Sequence, residues 1–179
     1  MRLMELYNSK IVPELVKMFG YKNKMQAPRL EKVVLNVGIN SKLKDTDISS
    51  AMENTLRKIS GQKPIQRLAK KSISSFKIRK GMAVGVSVTL RGRRMYDFVE
   101  RFVRATLPRV RDFRGIPSKS FDGHGNYSFG LREQTPFPEL KPQDLDKLHG
   151  LEIVFVTTAK TDKEARGLLE LMGFPFMKS

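Results

Sequence analysis

Cysteine is absent from this chain of 179 residues, and histidine occurs only twice. The lack of cysteine excludes disulfides, thiolate zinc sites and thiol nucleophiles. Because His124 and His149 have no partners at ligand spacing, the sequence predicts no metal site. Long apolar runs are missing too: none approaches the roughly 18 residues that cross a bilayer, and Glu5 and Lys10 interrupt the stretch where a signal peptide would be apolar. We therefore expect a soluble, intracellular protein that does not insert into membranes.

Residue combinations that carry catalysis are equally missing. No paired carboxylates, no nucleophile with its base and no cofactor-binding loop stand out. Gly123, Gly125 and Gly130 match neither the dinucleotide-binding nor the P-loop pattern, and we expect them to shape a turn. The sequence therefore predicts no enzymatic activity, no catalytic residues, no cofactor and no small-molecule substrate.

Acidic residues are scarce in one part of the chain. The whole sequence has 34 Lys and Arg against 18 Asp and Glu, which gives a net charge of +16. Residues 57–114 hold 17 of those basic residues and three of the acidic ones, a net charge of 17 − 3 = +14. Nucleic acid, an anionic membrane and an acidic protein all suit this charge, but its concentration in one segment favours an extended polyanion.

Apolar periodicity predicts a single α+β domain over residues 1–179, with elements in the order helix, strand, helix, strand, strand, helix, strand, strand, helix. The first helix is expected to kink or restart at Pro13, and a capping box of Thr161 and Glu164 is expected to start the last one. We expect a mainly antiparallel sheet with helices packed on one face and the other face open for RNA. The pattern places four residues on the open face: Asn36, Ser87, Thr89 and Arg91.

Two basic segments within residues 57–114 suit phosphate contacts. In the loop of residues 70–81, cations alternate with Ser hydroxyls, and Phe76 is expected either to stack on RNA or to lie in the core. Arg91, Arg93 and Arg94 lie where a strand meets a helix, where guanidinium groups and helix amides can both hold phosphate. The alternative for these arginines is pairing with Asp97 and Glu100.

The segment of residues 109–115 alternates arginines with apolar residues and Asp112. Two interpretations remain open: an edge strand with solvated arginines, or a surface that contacts RNA or a protein. Residues 80–86 faintly resemble an RNA-recognition-motif signature, but the aromatic residues that would stack on bases are absent. Recognition through phosphate, 2′-hydroxyl and shape is therefore favoured.

Seven motifs occur in order along the chain: MQAPR (25–29), LNVG (35–38), SGQKP (60–64), FKIR (76–79), VTLRG (88–92), PRVRDFRG (108–115) and SFDGHGNY (120–127). Together they closely resemble the bacterial ribosomal protein L5 family, over essentially the whole chain. His124 and Arg93 depart from the family pattern, which more often has arginine and glutamate there.

The resemblance implies a protein of the large ribosomal subunit that binds 5S rRNA and helps attach it to the central protuberance. It also implies contacts with 23S rRNA, with P-site tRNA and with the small-subunit protein S13 at an intersubunit bridge. The rRNA-binding residues expected from the resemblance and the charge pattern are Lys32, Asn36, Gln62, Lys63, Thr89, Arg91, Arg93 and Arg94. The expected tRNA-contacting loop comprises Lys70, Lys71, Ser72, Ser75, Phe76, Lys77, Arg79 and Lys80. The expected bridge residues are Arg109, Arg111, Asp112 and Arg114, with the segment before Leu151.

Two functions of other classes would also need a basic surface. An RNA-directed nuclease or modifying enzyme would show a convergent acid–base or cofactor constellation, and none is found. A basic adaptor for membranes would carry a basic amphipathic helix with a wide apolar outer face, and none is evident.

Overall fold

A computed structural model describes residues 2–39, 46–144 and 148–177. The strands form one open, five-stranded antiparallel sheet in the order β2-β3-β1-β5-β4, so the predicted α+β class is confirmed. The elements follow the predicted order: α1 (Leu3–Leu6), α2 (Val12–Phe19), β1 (Leu30–Gly38), α3 (Thr46–Ser60), β2 (Ile65–Leu68), β3 (Ala83–Leu90), α4 (Gly92–Arg101), β4 (Tyr127–Leu131), β5 (Leu151–Thr157) and α5 (Asp162–Leu171).

Strand β1 shows the predicted alternation. Val33, Leu35 and Val37 are fully buried, whereas the alternate residues Lys32 and Asn36 are half-buried. A period of two places such residues on opposite faces of a sheet. The apolar face of β1 is therefore the core face, and the polar residues mark the other face.

The first helical segment changes geometry just before Pro13. A π-helical segment, Tyr7–Ile11, joins α1 to α2. Proline has no N–H to donate to the carbonyl four residues earlier, so the regular hydrogen-bond ladder cannot continue through it. Of the two predicted alternatives, a kink or a restart at Pro13, the restart is confirmed, because α2 begins at Val12 with Pro13 in its first turn. Gly20 ends α2 at φ 68°, and its N–H donates to the Val16 carbonyl.

The predicted start of α5 is also confirmed. The Thr161 hydroxyl accepts a hydrogen bond from the Glu164 N–H, and the Glu164 carboxylate accepts one from the Thr161 N–H, which makes a capping box. After the helix the tail pairs with an earlier segment, because the Ile116 N–H donates to the Pro175 carbonyl at 2.8 Å.

The chain folds as two compact units. The first unit comprises Met1–Val33, Leu90–Phe129 and Val154–Ser179, and the second comprises Val34–Thr89 and Gly130–Ile153. The prediction of a single domain over residues 1–179 stays a prediction, because this division does not test whether the two units act together.

An aromatic cluster lies at the centre of the first unit. The ring centroids of Phe102 and Phe155 are 5.8 Å apart, and those of Phe155 and Phe174 are 5.0 Å apart in an edge-on arrangement. Leu15 and Leu168 are fully buried in the same unit. Burial of this apolar area holds the helices of the first unit in place.

The second unit has an aliphatic core. Its buried side chains include Leu35 and Val37 of β1, Val86 and Val88 of β3, and Met52, Leu56 and Ile59 of α3. The buried residues of α3 recur at intervals of three and four, so they form one stripe of the helix. Within the described ranges, no helix combines the length and apolar character needed to cross a membrane.

Candidate nucleic-acid interface

The residues predicted to bind RNA are distributed over both units. The second unit holds Asn36, Gln62, Lys63, Thr89 and the loop residues Lys70, Lys71, Ser72, Ser75, Phe76, Lys77, Arg79 and Lys80. The first unit holds Lys32, Arg91, Arg93, Arg94, Arg109, Arg111, Asp112 and Arg114. All these side chains are exposed except Lys32, Asn36, Gln62 and Thr89, which are half-buried.

In the second unit, Asn36 lies beside a glycine on the neighbouring strand. A Cβ built on Gly85 would be 3.7 Å from Asn36 Oδ1 and 3.0 Å from the Val37 carbonyl oxygen, so the strands approach closely here. Asn36 Nδ2 donates to Glu152 Oε2 at 3.2 Å. This bond orients the amide on the polar face of β1.

The polar face of β3 carries an ordered arginine from β2. Arg67 Nε donates to Ser87 Oγ at 2.7 Å. Ser87 is only 4% exposed, so this part of the face, which was expected to be open, is covered by the arginine. No sequence pattern distinguishes Arg67 from the other basic residues, because its partner depends on the pairing register of β2 and β3.

The loop between β2 and β3 is folded back on itself. The Ile73 N–H donates to the Ile78 carbonyl at 2.9 Å, and the Ile78 N–H donates to the Ile73 carbonyl at 3.1 Å. A short 3-10 turn, Ser74–Phe76, lies between them, and Lys77 ends it in the left-handed region at φ 52°. The Ser72 hydroxyl accepts a further bond from the Lys80 N–H at 2.9 Å. The predicted polar loop is therefore a small hydrogen-bonded hairpin.

Phe76 is at the tip of this hairpin. Its side chain is 63% exposed, so the alternative that placed Phe76 in the core is wrong. The hairpin also borders an open depression of about 900 Å³, lined by Ser72, Ser74, Lys77, Ile78, Arg79 and Met82. An exposed ring beside cations and hydroxyls can stack on a base or ribose while its neighbours hold phosphate.

In the first unit, three exposed guanidinium groups surround the start of α4. Arg91 is the N-cap residue, and its side chain makes no capping hydrogen bond with the amides of the first turn. These amides and the positive end of the helix dipole favour an anion at this position. Gly92 at φ 57° makes the sharp change of direction from strand to helix.

The alternative prediction, that the arginines at the start of α4 pair with Asp97 and Glu100, is confirmed only in part. Arg93 Nε is 4.0 Å from Asp97 Oδ2, but Glu100 pairs with Arg104 at 2.7 Å instead. Arg91 Nη1 is 3.6 Å from Glu31 Oε1. Exposed pairs of this kind contribute about 1 kcal/mol at most, so a phosphate can compete for both arginines.

Residues 109–115 do not form an edge strand, so that interpretation is wrong. Leu107–Arg109 is a 3-10 turn, and Asp112 has a left-handed φ of 53°. The chain therefore turns where an alternating strand was one possibility. Arg109, Arg111 and Arg114 are exposed on this turn.

Gly123 and Gly125 lie in the predicted turn, whereas Gly130 lies inside strand β4, so the prediction that Gly130 shapes a turn is wrong. Asp122 accepts hydrogen bonds from the Asn126 side chain at 2.6 Å and from the His124 N–H at 2.8 Å. These bonds, that of Asn126 first, lower the pKa of the Asp122 carboxyl. Gly123 and Gly125 have φ of 84° and 81°. In the part of the chain that the structure describes, no three His, Asp or Glu side chains gather to hold a metal ion.

Comparison with known proteins gives two matches to family models and many similar sequences. Residues 23–79 match the model described as ribosomal protein L5, and residues 83–176 match the model for the C-terminus of the same ribosomal protein family. The chain is 53% identical over 177 residues to the large ribosomal subunit protein uL5 of Carboxydothermus hydrogenoformans, covering 99% of each chain. It is 57% identical over 176 residues to that of Fervidobacterium nodosum, covering 98% of this chain and 96% of the relative.

Proposed function

The chain belongs to the ribosomal protein L5 family, and from this premise we propose that it binds 5S rRNA and helps attach it to the central protuberance. As a member of this family it is a structural constituent of the large ribosomal subunit in the bacterial cytoplasm, and it is not an enzyme. The proposal includes residues 1–179 acting as one domain.

The observation that supports this proposal best is the group of guanidiniums at the start of α4. Arg91, Arg93 and Arg94 are exposed there beside first-turn amides that the N-cap side chain does not cap. A guanidinium fork binds phosphate through two parallel hydrogen bonds, and the helix amides add further donors. Asn36, Gln62, Lys63 and Thr89 in the second unit, with Lys32 in the first, are the proposed contacts that position the same RNA.

Further partners belong to the same proposal. The hairpin of residues 70–81 contacts P-site tRNA, with Phe76 stacking and Lys77 and Arg79 holding phosphate. The turn with Arg109, Arg111, Asp112 and Arg114 contributes to a bridge with the small-subunit protein S13. Contacts with 23S rRNA complete the set. The exposure of these residues supports each assignment.

The direct test is reversal of charge at the start of α4. The double variant Arg91→Glu and Arg93→Glu places two carboxylates where phosphate would bind, so we expect its affinity for 5S rRNA to fall by about 100-fold or more. A gel-shift titration with purified 5S rRNA at constant salt measures this change.

The control changes net charge equally at other sites. Lys17 of α2 and Lys163 of α5 are exposed and lie outside residues 57–114. The double variant Lys17→Glu and Lys163→Glu should retain most of the affinity. Equal weakening by both double variants would show that only total charge matters, and unchanged binding by the first would contradict the site.

A further inference from the structure

We propose that Arg67 is a further RNA-contacting residue, and that Ser87 positions its guanidinium to hold one backbone phosphate. This inference rests on the proposed binding of 5S rRNA and adds a contact on the second unit. It concerns an arginine outside the motifs that carry the family resemblance.

The pairing register brings the two residues together. β2 and β3 are antiparallel, with Arg67 opposite Gly85 and Ile65 opposite Ser87. Gly85 and Ser87 lie on the same face of β3, so the long side chain of Arg67 on that face can reach Ser87, two residues along the strand.

The hydrogen bond to Ser87 uses only Nε of Arg67, so the two terminal guanidinium nitrogens remain available to bind phosphate. Ser87 accepts from Nε at 2.7 Å, and the two terminal nitrogens carry four more N–H donors. Among the described residues, no carboxylate lies within ion-pair distance of Arg67. Two of the remaining donors point in parallel, which is the geometry that binds phosphate oxygens.

The bond also holds the arginine in one orientation. A free arginine side chain loses up to about 2 kcal/mol of rotamer entropy when it binds. Because Ser87 is buried and fixed in β3, part of that ordering is already present before RNA arrives. A preorganised donor loses less entropy on binding than a mobile surface arginine.

The surroundings favour a phosphate over an acidic protein side chain as the partner. β2 is the edge strand, and Lys63, Lys70 and Lys71 flank it in the sequence. Among the described strand residues on the adjoining polar face, Glu152 is the only carboxylate, and its Oε2 already accepts a hydrogen bond from Asn36 Nδ2. The charged residues next to β2 in the sequence are lysines, which suits a polyanionic partner.

The test compares the variants Arg67→Gln, Arg67→Lys, Ser87→Ala and the double variant Arg67→Gln with Ser87→Ala. We expect Arg67→Gln to weaken 5S rRNA binding about tenfold, the effect of one charged hydrogen-bonding contact. Arg67→Lys retains the charge without the fork and should fall between wild type and Arg67→Gln. The slope of log affinity against log salt should decrease by roughly 0.7 to 0.9 for Arg67→Gln, because one phosphate contact is lost.

The role of Ser87 has its own readout. Ser87→Ala should weaken binding by about threefold in the wild-type background, the value of one neutral hydrogen bond, and should have no further effect when Arg67 is already glutamine. An equal effect in both backgrounds would mean that Ser87 acts structurally and not through Arg67. Urea unfolding of each variant shows whether it folds. The variant Arg67→Lys tests the contact between residue 67 and phosphate while Ser87 is unchanged.

The matched control is Arg132→Gln, an exposed arginine of the same unit. Its affinity and salt slope should equal those of wild type. If wild type binds 5S rRNA and Arg67→Gln binds equally well with the same slope, the inference is overturned while the proposed function stands. If wild type does not bind 5S rRNA, the proposed function itself fails.

Discussion

Single arginines illustrate how local geometry decides what a charge can do. Arg67 is anchored through Nε to a buried hydroxyl, whereas Arg93 is 4.0 Å from an exposed carboxylate that competes only weakly with other anions. Arg91 lies at the N-cap of α4, where its guanidinium and the helix amides can act on one phosphate. Lysine could replace the charge of these residues but not the planar fork.

Two glycines at the turn of residues 122–126 are required for different reasons, one for its backbone angle alone and the other also because a side chain would clash. Gly123 and Gly125 both have φ near the left-handed region, at 84° and 81°. A Cβ on Gly123 would meet nothing within 4 Å, whereas a Cβ on Gly125 would lie 2.8 Å from the Ala159 carbonyl oxygen. The first position therefore requires glycine for its backbone angle alone, and the second also for space.

We expect Gly123→Ala to lower the free energy of unfolding by about 1 kcal/mol, the cost of a left-handed alanine. Gly125→Ala should lower it by about 3 kcal/mol, because the backbone at Ala159 must also move. Urea unfolding monitored by circular dichroism measures both values, and Gly123→Ala is the control for Gly125→Ala. Equal losses of unfolding free energy in the two variants would contradict a clash between a side chain at position 125 and the Ala159 backbone.

At the scale of elements, the hairpin between β2 and β3 is the part whose conformation before binding matters most for the proposed contact with tRNA. Its reciprocal bonds between Ile73 and Ile78 and the bond from Lys80 to Ser72 join residues of the hairpin itself, so we expect them to form before tRNA binds. A loop that is ordered in advance loses less conformational entropy on binding tRNA. The backbone that carries the exposed Phe76 is then held in one conformation.

Hydrogen exchange of the RNA-free protein tests this order. We expect the Ile73 and Ile78 amides to exchange about tenfold more slowly than the exposed Lys71 amide, which corresponds to an opening free energy of about 1.4 kcal/mol. The variant Ser72→Ala removes the acceptor for the Lys80 N–H and should speed exchange at Lys80 more than at Ile73. Equal exchange at all these amides would show that the hairpin is not formed before binding.

At the scale of the whole molecule, charge is the dominant property. Residues 57–114 carry a net charge of +14 out of +16. Of their 17 basic residues, the nine from Arg57 to Lys80 belong to the second unit and the eight from Arg91 to Arg114 to the first. Both units therefore offer cations to a long polyanion.

This charge predicts a strong dependence of RNA binding on salt. If six to ten phosphates are contacted, the affinity for 5S rRNA should fall roughly 10³- to 10⁵-fold between 50 and 200 mM salt, by analogy with duplex DNA. Filter binding across a KCl series measures the slope. A decrease of less than about tenfold would mean that fewer than about two phosphates are contacted, which would contradict an interface of this size.

Much of the fold follows from local patterns that act over a few residues. The alternation of Val33, Leu35 and Val37, the helix end at Gly20 and the capping box of Thr161 all depend on neighbours close in sequence. Such interactions are encoded in periodicity and in the conformational limits of single residues. For this reason the order of elements and the α+β class could be predicted.

Contacts between residues distant in sequence could not be predicted in the same way. Arg67 meets Ser87 only because the β2–β3 register places Arg67 opposite Gly85, and a slip of one residue would turn the arginine to the other face. The exposure of Phe76 and the turn at Asp112 likewise depend on how these segments pack.

The sequence by itself determined the family, the basic character and the order of helices and strands, because composition and local periodicity carry that information. Only the tertiary structure decided which arginine is anchored, which carboxylates compete for which cations and that the loop of residues 70–81 is a hydrogen-bonded hairpin. Those properties arise from distances between segments, and no pattern along a single segment contains such distances.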